Sequence, residues 1–284
     1  MDELLSFCTA DPPFLGSRCD QHPDVVILGV PLDITETFRS GTAQAPQRIR
    51  EVSDCLETYS PLRDRDLGDI AVADWGNVDL LNRTLPQALK TIEAAVKRAS
   101  ETALPILLGG EHTLTLGAVR GMRPHYPNLA VIYVDAHLDL IDEYAGLRVS
   151  HATVARRLAE LIGWSALVQV GVRSGTRAEF EASTACLFST STLALPGFVL
   201  EELQSRPVYL TIDIDVLDPA FAPGTGCPEP GGPSFHELMS FLATLHSVRV
   251  VGLDIVEVLP RFDVADITSV AAAKLVREAA LLFA

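Results

Sequence analysis

Residues 130–140 read AVIYVDAHLDL, an apolar run that passes directly into charged residues. The run 130–134 has the length and composition of a buried strand. Asp135, His137 and Asp139 follow at every second position, and side chains spaced by two residues share one face of an extended segment. The stretch therefore predicts a strand that ends in a convergent cluster of ionisable groups.

The same strand character recurs along the chain in short runs rich in Val, Ile and Leu. The runs are residues 25–30, 105–108, 129–134, 166–170, 208–212 and 248–255. Stretches with helical spacing lie between them, among them 85–101, 151–163 and 234–245. Parallel strands need crossover helices, and each helix must bury its apolar stripe against the sheet. The pattern predicts a three-layer α/β/α sandwich with a mostly parallel central sheet. Ser234 is predicted to cap the last of these helices, with Glu237 as its capping-box partner.

Two further predicted strands end in ionisable residues. VYLTIDIDVLDP (208–219) carries Asp213 and Asp215, and LPILLGGEHTLTLG (104–117) carries His112. Ligands of such sheets bind at the carboxyl ends of the strands. We therefore expect the side chains of these two strand ends to lie close to the charged cluster that follows residue 134. Buried carboxylates without partners cost several kcal/mol each, and cations would make the cluster tolerable.

Four aspartates and two histidines without a thiolate suit Mn²⁺, with Fe²⁺, Co²⁺, Ni²⁺ and Zn²⁺ as chemical rivals. Six ligands are too many for one ion with an open position, and they suit two ions that share carboxylates. Such a pair lowers the pKa of a shared water toward neutrality. The six predicted metal ligands are His112, Asp135, His137, Asp139, Asp213 and Asp215.

Length and composition restrict the class of protein. The 284 residues predict one domain, 1–284, and no run of 18 apolar residues predicts a membrane span. The formal charge of -15 disfavours nucleic acid and anionic membranes as partners and mildly favours a cationic one. The N-terminus, MDELLSFCTA, lacks the positive charge of a signal peptide. Five scattered cysteines without a C-x-x-C pair suit a reducing cytoplasm.

Six motifs resemble those of the ureohydrolase family, which contains the arginases and agmatinases, in order and approximate spacing. They are GVPLDITETFRSGTAQAPQRIR (29–50), GGEHTLTLG (109–117), VDAHLDL (134–140), SHATVARRL (150–158), TIDIDVLDPAFAPGTGCPEPGG (211–232) and LDIVEVLP (253–260). The resemblance runs from about Val26 to Lys274. It implies an arginase-like fold, two Mn²⁺ ions per subunit and a homo-oligomer, either a trimer or a hexamer.

The resemblance also implies how the ligands are shared. One ion would be held by His112, Asp135, Asp139 and Asp213. The other would be held by Asp135, His137, Asp213 and Asp215. A metal-bridging hydroxide would then attack the guanidinium carbon of the substrate and release urea and an amine.

Three residues are implied to be catalytic. Asp139 would pass a proton to the leaving amine, and His151 would exchange protons with solvent, which its near-neutral pKa suits. Glu257 would orient the guanidinium, whose planar donors match a carboxylate. From the residues alone, His151 could instead cap a helix and Glu257 could pair with an arginine. Asp33 and Asp254 are interpreted as structural.

The substrate is predicted to be agmatine, which would yield putrescine and urea. Arginases resemble one another in an Asn two residues after the last Asp of DAHxD, where this chain has Ile141, and Ile cannot donate a hydrogen bond to a carboxylate. Asp142, Glu143 and Glu229 are candidates to contact the distant charge of this dication. Arg261 would instead favour an acidic tail such as that of guanidinobutyrate; guanidinopropionate and arginine are further alternatives.

Three other interpretations remain open. A metal-dependent deacetylase would use a related fold, but it predicts one zinc and a His-His pair that this sequence lacks. A binuclear phosphoesterase would need more histidines and basic groups for phosphate. A non-catalytic, metal-stabilised binding protein would not need every ligand position together with His151 and Glu257.

Overall fold

The apolar runs form the strands of one central sheet. The computed structural model describes residues 12–17 and 22–284. Its strands are β1 Val25–Val30, β2 Tyr59–Ser60, β3 Arg65–Asp66, β4 Val72–Asn77, β5 Leu104–Gly109, β6 Ala130–Val134, β7 Leu167–Val170, β8 Phe188–Thr190, β9 Val208–Asp213 and β10 Val250–Val256. Eight of them form a sheet in the order β4-β1-β5-β10-β9-β6-β7-β8, whose pairings are parallel. Each of the six predicted runs overlaps an observed strand, which confirms the mostly parallel sheet.

Helices connect these strands. They are α1 Ala45–Ser53, α2 Leu85–Ala99, α3 Leu114–Met122, α4 Val154–Ile162, α5 Arg177–Ser183, α6 Gly197–Gln204, α7 Phe235–Thr244 and α8 Ile267–Phe283. The predicted cap of α7 is confirmed, because Ser234 Oγ accepts a hydrogen bond from Glu237 N at 3.3 Å and Ser234 N donates to Glu237 Oε2 at 2.7 Å.

Side chains of each central strand enter two separate cores. In β6, Ala130, Ile132 and Val134 pack on one face of the sheet, against the layer that includes α1, α6, α7 and α8. Val131 and Tyr133 pack on the other face with α2, α3 and α4. Because both faces are covered, the central strands are mostly apolar, and the polar side chains that they bury, such as Gln169 and Thr211, are hydrogen-bonded. The predicted three-layer sandwich is confirmed.

Two strands of the sheet, β4 and β8, are not predicted from the sequence because they are not apolar runs. Strand β4, VADWGN, carries the buried Asp74, which accepts hydrogen bonds from Arg50 Nε at 2.8 Å and Arg50 Nη2 at 2.9 Å. This ion pair lets a charged residue sit inside the fold. Strand β8 is half-buried and only three residues long. Both lie at the edges of the sheet.

Some predictions concern residues outside the described part of the chain. The N-terminal segment 1–10, with Cys8, and also Cys19 lie there. Among residues 12–17 and 22–284, the helices are all too short or too polar to cross a membrane.

Candidate metal centre and active site

Four neighbouring strands in the middle of the sheet end at one cavity of about 340 Å³. His112 follows β5, the segment 135–139 follows β6, Asp213 ends β9, and Glu257 follows β10. Gly110 allows the chain after β5 to pass close to the loop that follows β1, since a β-carbon there would lie 2.0 Å from the Leu32 carbonyl oxygen. The parallel arrangement therefore gathers charged groups that are far apart in sequence.

Asp135 lies between the two histidines. His112 Nδ1 is 3.1 Å from Asp135 Oδ2 and 3.2 Å from Asp213 Oδ2. His137 Nδ1 is 3.4 Å from Asp135 Oδ1 and 2.9 Å from Asp215 Oδ2. These contacts define two groups that could each hold a metal ion, and Asp135 belongs to both.

The donor set fits a pair of divalent cations. The Asp135 side chain is fully buried, and its Oδ2 atom lies 3.1 Å from His112 Nδ1 without the geometry of a hydrogen bond. A buried carboxylate oxygen without a partner is costly unless a cation meets it. Carboxylates and imidazoles without thiolates are donors that suit Mn²⁺ and similar ions. Asp139 lies beside this group, with its Oδ2 atom 4.0 Å from His112 Nδ1.

Hydrogen bonds behind the cluster fix how His112 faces it. His112 Nε2 contacts Thr211 Oγ1 at 2.8 Å, and Thr211 in turn donates to Asp254 Oδ1 at 2.5 Å. Asp254 also accepts from Tyr209 at 2.8 Å, so this buried carboxylate anchors the network and is not one of the potential ligands. Such partners orient the coordinating nitrogen of a histidine. Nδ1 is therefore the atom that faces the carboxylates.

Asp139 and Glu257 have left-handed backbone conformations, with φ of 49° and 64°. This region is sparsely populated by residues other than glycine, and such residues concentrate at functional sites. Tyr133 donates to Asp139 Oδ2 at 2.6 Å, and His112 N donates to Glu257 Oε1 at 2.6 Å. Each of these carboxylates lines the cavity, and Glu257 also hydrogen-bonds to Glu36.

Burial and mutual repulsion shape the acidity of these groups in the metal-free protein. Burial, and then the negative charge of Asp135, raise the pKa of Asp139 to about 8. Burial and the charge of Glu36 hold the pKa of Glu257 well above its usual range. Burial alone would lower the pKa of His112, but the carboxylate of Asp135 outweighs it and raises that pKa to about 9. The site therefore holds protons that divalent ions would displace.

His151 lines the same cavity from the start of the segment that leads into α4. Its Nδ1 atom is 3.4 Å from Thr35 Oγ1, and its Nε2 atom is 3.5 Å from Thr37 Oγ1. Burial lowers the pKa of His151 below its ordinary value. The imidazole is therefore mostly neutral at pH 7 and able to accept a proton.

The three acidic residues predicted to contact the substrate tail are not among the residues that line the cavity. The Asp142 carboxylate is 2.6 Å from Arg157 Nη2 and 3.3 Å from Arg148 Nη2, so its charge is already balanced. Glu143 is exposed, and the backbone carbonyl of Glu229 accepts a hydrogen bond from Arg173 at 2.6 Å. These three residues therefore lie outside the cavity lining in this structure, and their contact with the substrate tail stays a prediction.

One acidic residue of the cavity, Glu36, is not predicted from the sequence. Glu36, in the loop after β1, lines the cavity, and its Oε1 atom accepts a hydrogen bond from Thr42 at 3.0 Å. Burial raises the pKa of Glu36 to about 7. Ile141 lines the wall together with Phe38 and Tyr144, so the cavity above the charged cluster is partly apolar.

The fold and the site together define an α/β/α enzyme of the arginase-like type. The profile of the Arginase family matches residues 23–282. The chain is 43% identical over 286 residues to an agmatinase from Bacillus cereus, covering 98% of this chain and 97% of that protein. It is 35% identical over 270 residues to a guanidinobutyrase from Pseudomonas aeruginosa, covering 90% and 85%. The crystal structure of agmatine ureohydrolase from Thermoplasma volcanium has a TM-score of 0.82 and 32% identity, covering 92% and 90%. The chain therefore belongs to the arginase family and is a ureohydrolase.

Proposed function

We propose that this ureohydrolase cleaves agmatine to putrescine and urea with two bound Mn²⁺ ions. The observation that carries the proposal is Asp135, a fully buried carboxylate that contacts both histidines and has one oxygen without a hydrogen bond. We propose His112, Asp135, His137, Asp139, Asp213 and Asp215 as the metal ligands. When bound, the ion pair would supply hydroxide at neutral pH.

Residues around the cluster would handle the substrate and its protons. The Glu257 carboxylate would accept hydrogen bonds from the guanidinium, because planar N–H donors match a carboxylate. Asp139 would take the proton of the attacking water and pass it to the departing nitrogen, which leaves as the amine of putrescine. His151 would return the site to its starting protonation state by exchange with solvent.

The apolar part of the cavity supports agmatine over arginine. Ile141 and Phe38 suit a butyl chain, and Ile141 offers no donor to an α-carboxylate. Guanidinobutyrate is the second candidate, since a relative is a guanidinobutyrase. Arg261, which would favour its acid group, does not line the cavity and lies with its guanidinium 5.9 Å from the Phe262 ring centre.

The direct experiment is urea release by Mn²⁺-loaded protein from agmatine, arginine, guanidinobutyrate, guanidinopropionate and formiminoglutamate at equal concentration, with formamide as the product to follow for the last. We expect agmatine to give the largest kcat/KM. A larger value for another guanidine would overturn the substrate. Absence of urea and formamide from every compound, with two ions bound, would overturn the reaction.

His151 gives a prediction about proton transfer. The variant His151→Ala is expected to lower kcat for agmatine about 10²-fold, the usual loss with a proton-transfer group. Because the pKa of His151 is lowered, its proton-accepting form persists down to mildly acidic pH, and activity should fall as pH drops through that pKa. In His151→Ala, this decrease of activity at low pH should be absent.

The control for His151 is His236→Ala, an exposed histidine on α7. Metal content by mass spectrometry should match the unmodified protein in both variants. An unchanged kcat and pH profile in His151→Ala would remove this residue from the mechanism.

We further propose one domain over residues 1–284, a homotrimer or homohexamer, and a cytoplasmic location. The single sheet that takes strands from residue 25 to residue 256 supports the domain. The oligomer follows from the family resemblance alone. Cys55, Cys186 and Cys227 are free thiols, in keeping with a reducing compartment.

A further inference from the structure

Glu36 and Glu257 border the same space in the cavity, beside Gly226. A β-carbon added to Gly226 would lie 3.4 Å from Glu36 Oε2 and 3.6 Å from Glu257 Oε2. Each carboxylate is held through its other oxygen, Glu36 by the Thr42 hydroxyl and Glu257 by the His112 backbone N–H. The two side chains also hydrogen-bond to each other, so in the ligand-free cavity they share a proton whose place a cationic donor would take.

Further carboxyl groups lie close to Glu36. Carboxylate oxygens of Asp33, Glu36 and Glu111 lie within 4.8 Å of one another. Glu111 is fully buried, and its Oε1 atom has no hydrogen-bond partner. Among the ion pairs of residues 12–17 and 22–284, none joins a lysine or arginine to Glu36 or Glu257. Without a cation, two facing carboxyl groups are tolerated by sharing a proton, and a bound cation would relieve the repulsion between their charged forms.

Apart from the proposed ligands, the other acidic residue of the cavity wall is Glu179, whose carboxylate already has hydrogen-bond partners. Glu179 accepts hydrogen bonds from Leu140 N at 3.0 Å and from Thr176 N at 2.8 Å. Its charge stabilises the backbone at the start of α5. Glu36 thus differs from Glu179, because its second partner is another carboxyl group and not a backbone N–H.

We propose that Glu36 is a specificity-determining residue that, with Glu257, clamps the guanidinium of the substrate between two carboxylates. A guanidinium carries five N–H donors in one plane, so it can serve one carboxylate along one edge and a second along another. The clamp selects a cationic planar group and loses its hold when the group becomes neutral urea. The inference rests on the proposed function for the identity of the substrate.

The test uses two probes that separate the head of the substrate from its tail. Guanidinium ion represents the head, and butylamine represents the chain with its distant ammonium. In Mn²⁺-loaded Glu36→Gln, which keeps size and removes charge, calorimetry is expected to show guanidinium binding weakened about tenfold or more. Butylamine binding should not change. KM for agmatine should rise by a similar factor with kcat within a few-fold, the pattern of lost uniform binding.

Two further variants make the result interpretable. Glu36→Asp keeps the charge and is expected to recover part of the guanidinium affinity. Glu201→Gln removes an exposed charge on α6 and should behave like the unmodified protein. Thermal unfolding and metal content are measured for each, and Glu36→Gln is expected to retain as many ions as the unmodified protein.

Three outcomes would overturn the clamp. Guanidinium affinity that is unchanged in Glu36→Gln would remove Glu36 from recognition. Weakened butylamine binding with unchanged guanidinium binding would place Glu36 at the tail, and lost metal would make it a ligand. Because the probe binding does not require turnover, an unmodified protein that binds guanidinium through Glu36 but releases no urea from agmatine would overturn the proposed function and leave the clamp standing.

Discussion

Replacing Asp135 with alanine is expected to remove both metal ions and to abolish urea release. Asp135 is the residue common to both candidate metal groups, with its two oxygens 3.1 Å from His112 Nδ1 and 3.4 Å from His137 Nδ1. Its loss would take one ligand from each ion at once. The measurement is metal per chain by mass spectrometry after dialysis against metal-free buffer, together with kcat for agmatine.

A neighbouring variant sharpens this prediction. Asp215 belongs only to the group that contains His137, so Asp215→Ala should lower the metal content to about one ion per chain and retain the ion near His112. Asp54→Asn, an exposed carboxylate after α1, is the control. Two ions per chain in Asp135→Ala would contradict the shared position of this carboxylate.

The second large effect is expected for Glu257→Gln. The amide oxygen can still accept the hydrogen bond from His112 N, now 2.6 Å from Glu257 Oε1, so the metal groups should remain intact. What is lost is a buried negative charge facing the guanidinium. A charge-assisted hydrogen bond in such a place is worth up to about 3 kcal/mol, so kcat/KM for agmatine should fall on the order of 10²-fold.

Metal content separates this role from a structural one. Glu257→Gln should keep two ions and the thermal stability of the unmodified protein while it loses activity. A variant that loses an ion would show that Glu257 supports the metal groups through His112. Full activity with both ions present would exclude the residue from substrate binding.

The sequence predicts the centre of the sheet and the charged cluster because both depend on local patterns. Apolar runs of strand length are visible without a structure, and Asp135, His137 and Asp139 follow one of them at the spacing of an extended chain. Parallel pairing then brings the strand ends together by topology alone. The edge strand β4 was missed because its buried Asp74 is neutralised by Arg50, a partner from α1.

The cavity wall could not be predicted in the same way. Glu36 lies in a loop, where no period distinguishes an inward carboxylate from an exposed one. Asp142 and Glu143 are close to Asp139 in sequence, but Arg157 from α4 neutralises Asp142 outside the cavity. Contacts between loops and helices that are distant along the chain decide these positions, and they carry no local signal.

The left-handed backbone at Asp139 and Glu257 has a consequence for how this protein evolves. Such conformations cost about 1–3 kcal/mol each in residues other than glycine, so replacement by glycine at either position would relieve strain. Selection for stability alone would therefore favour losing these two carboxylates. Continued selection for activity would maintain the two carboxylates despite this cost. In a lineage without that selection, we expect both carboxylates to be replaced early.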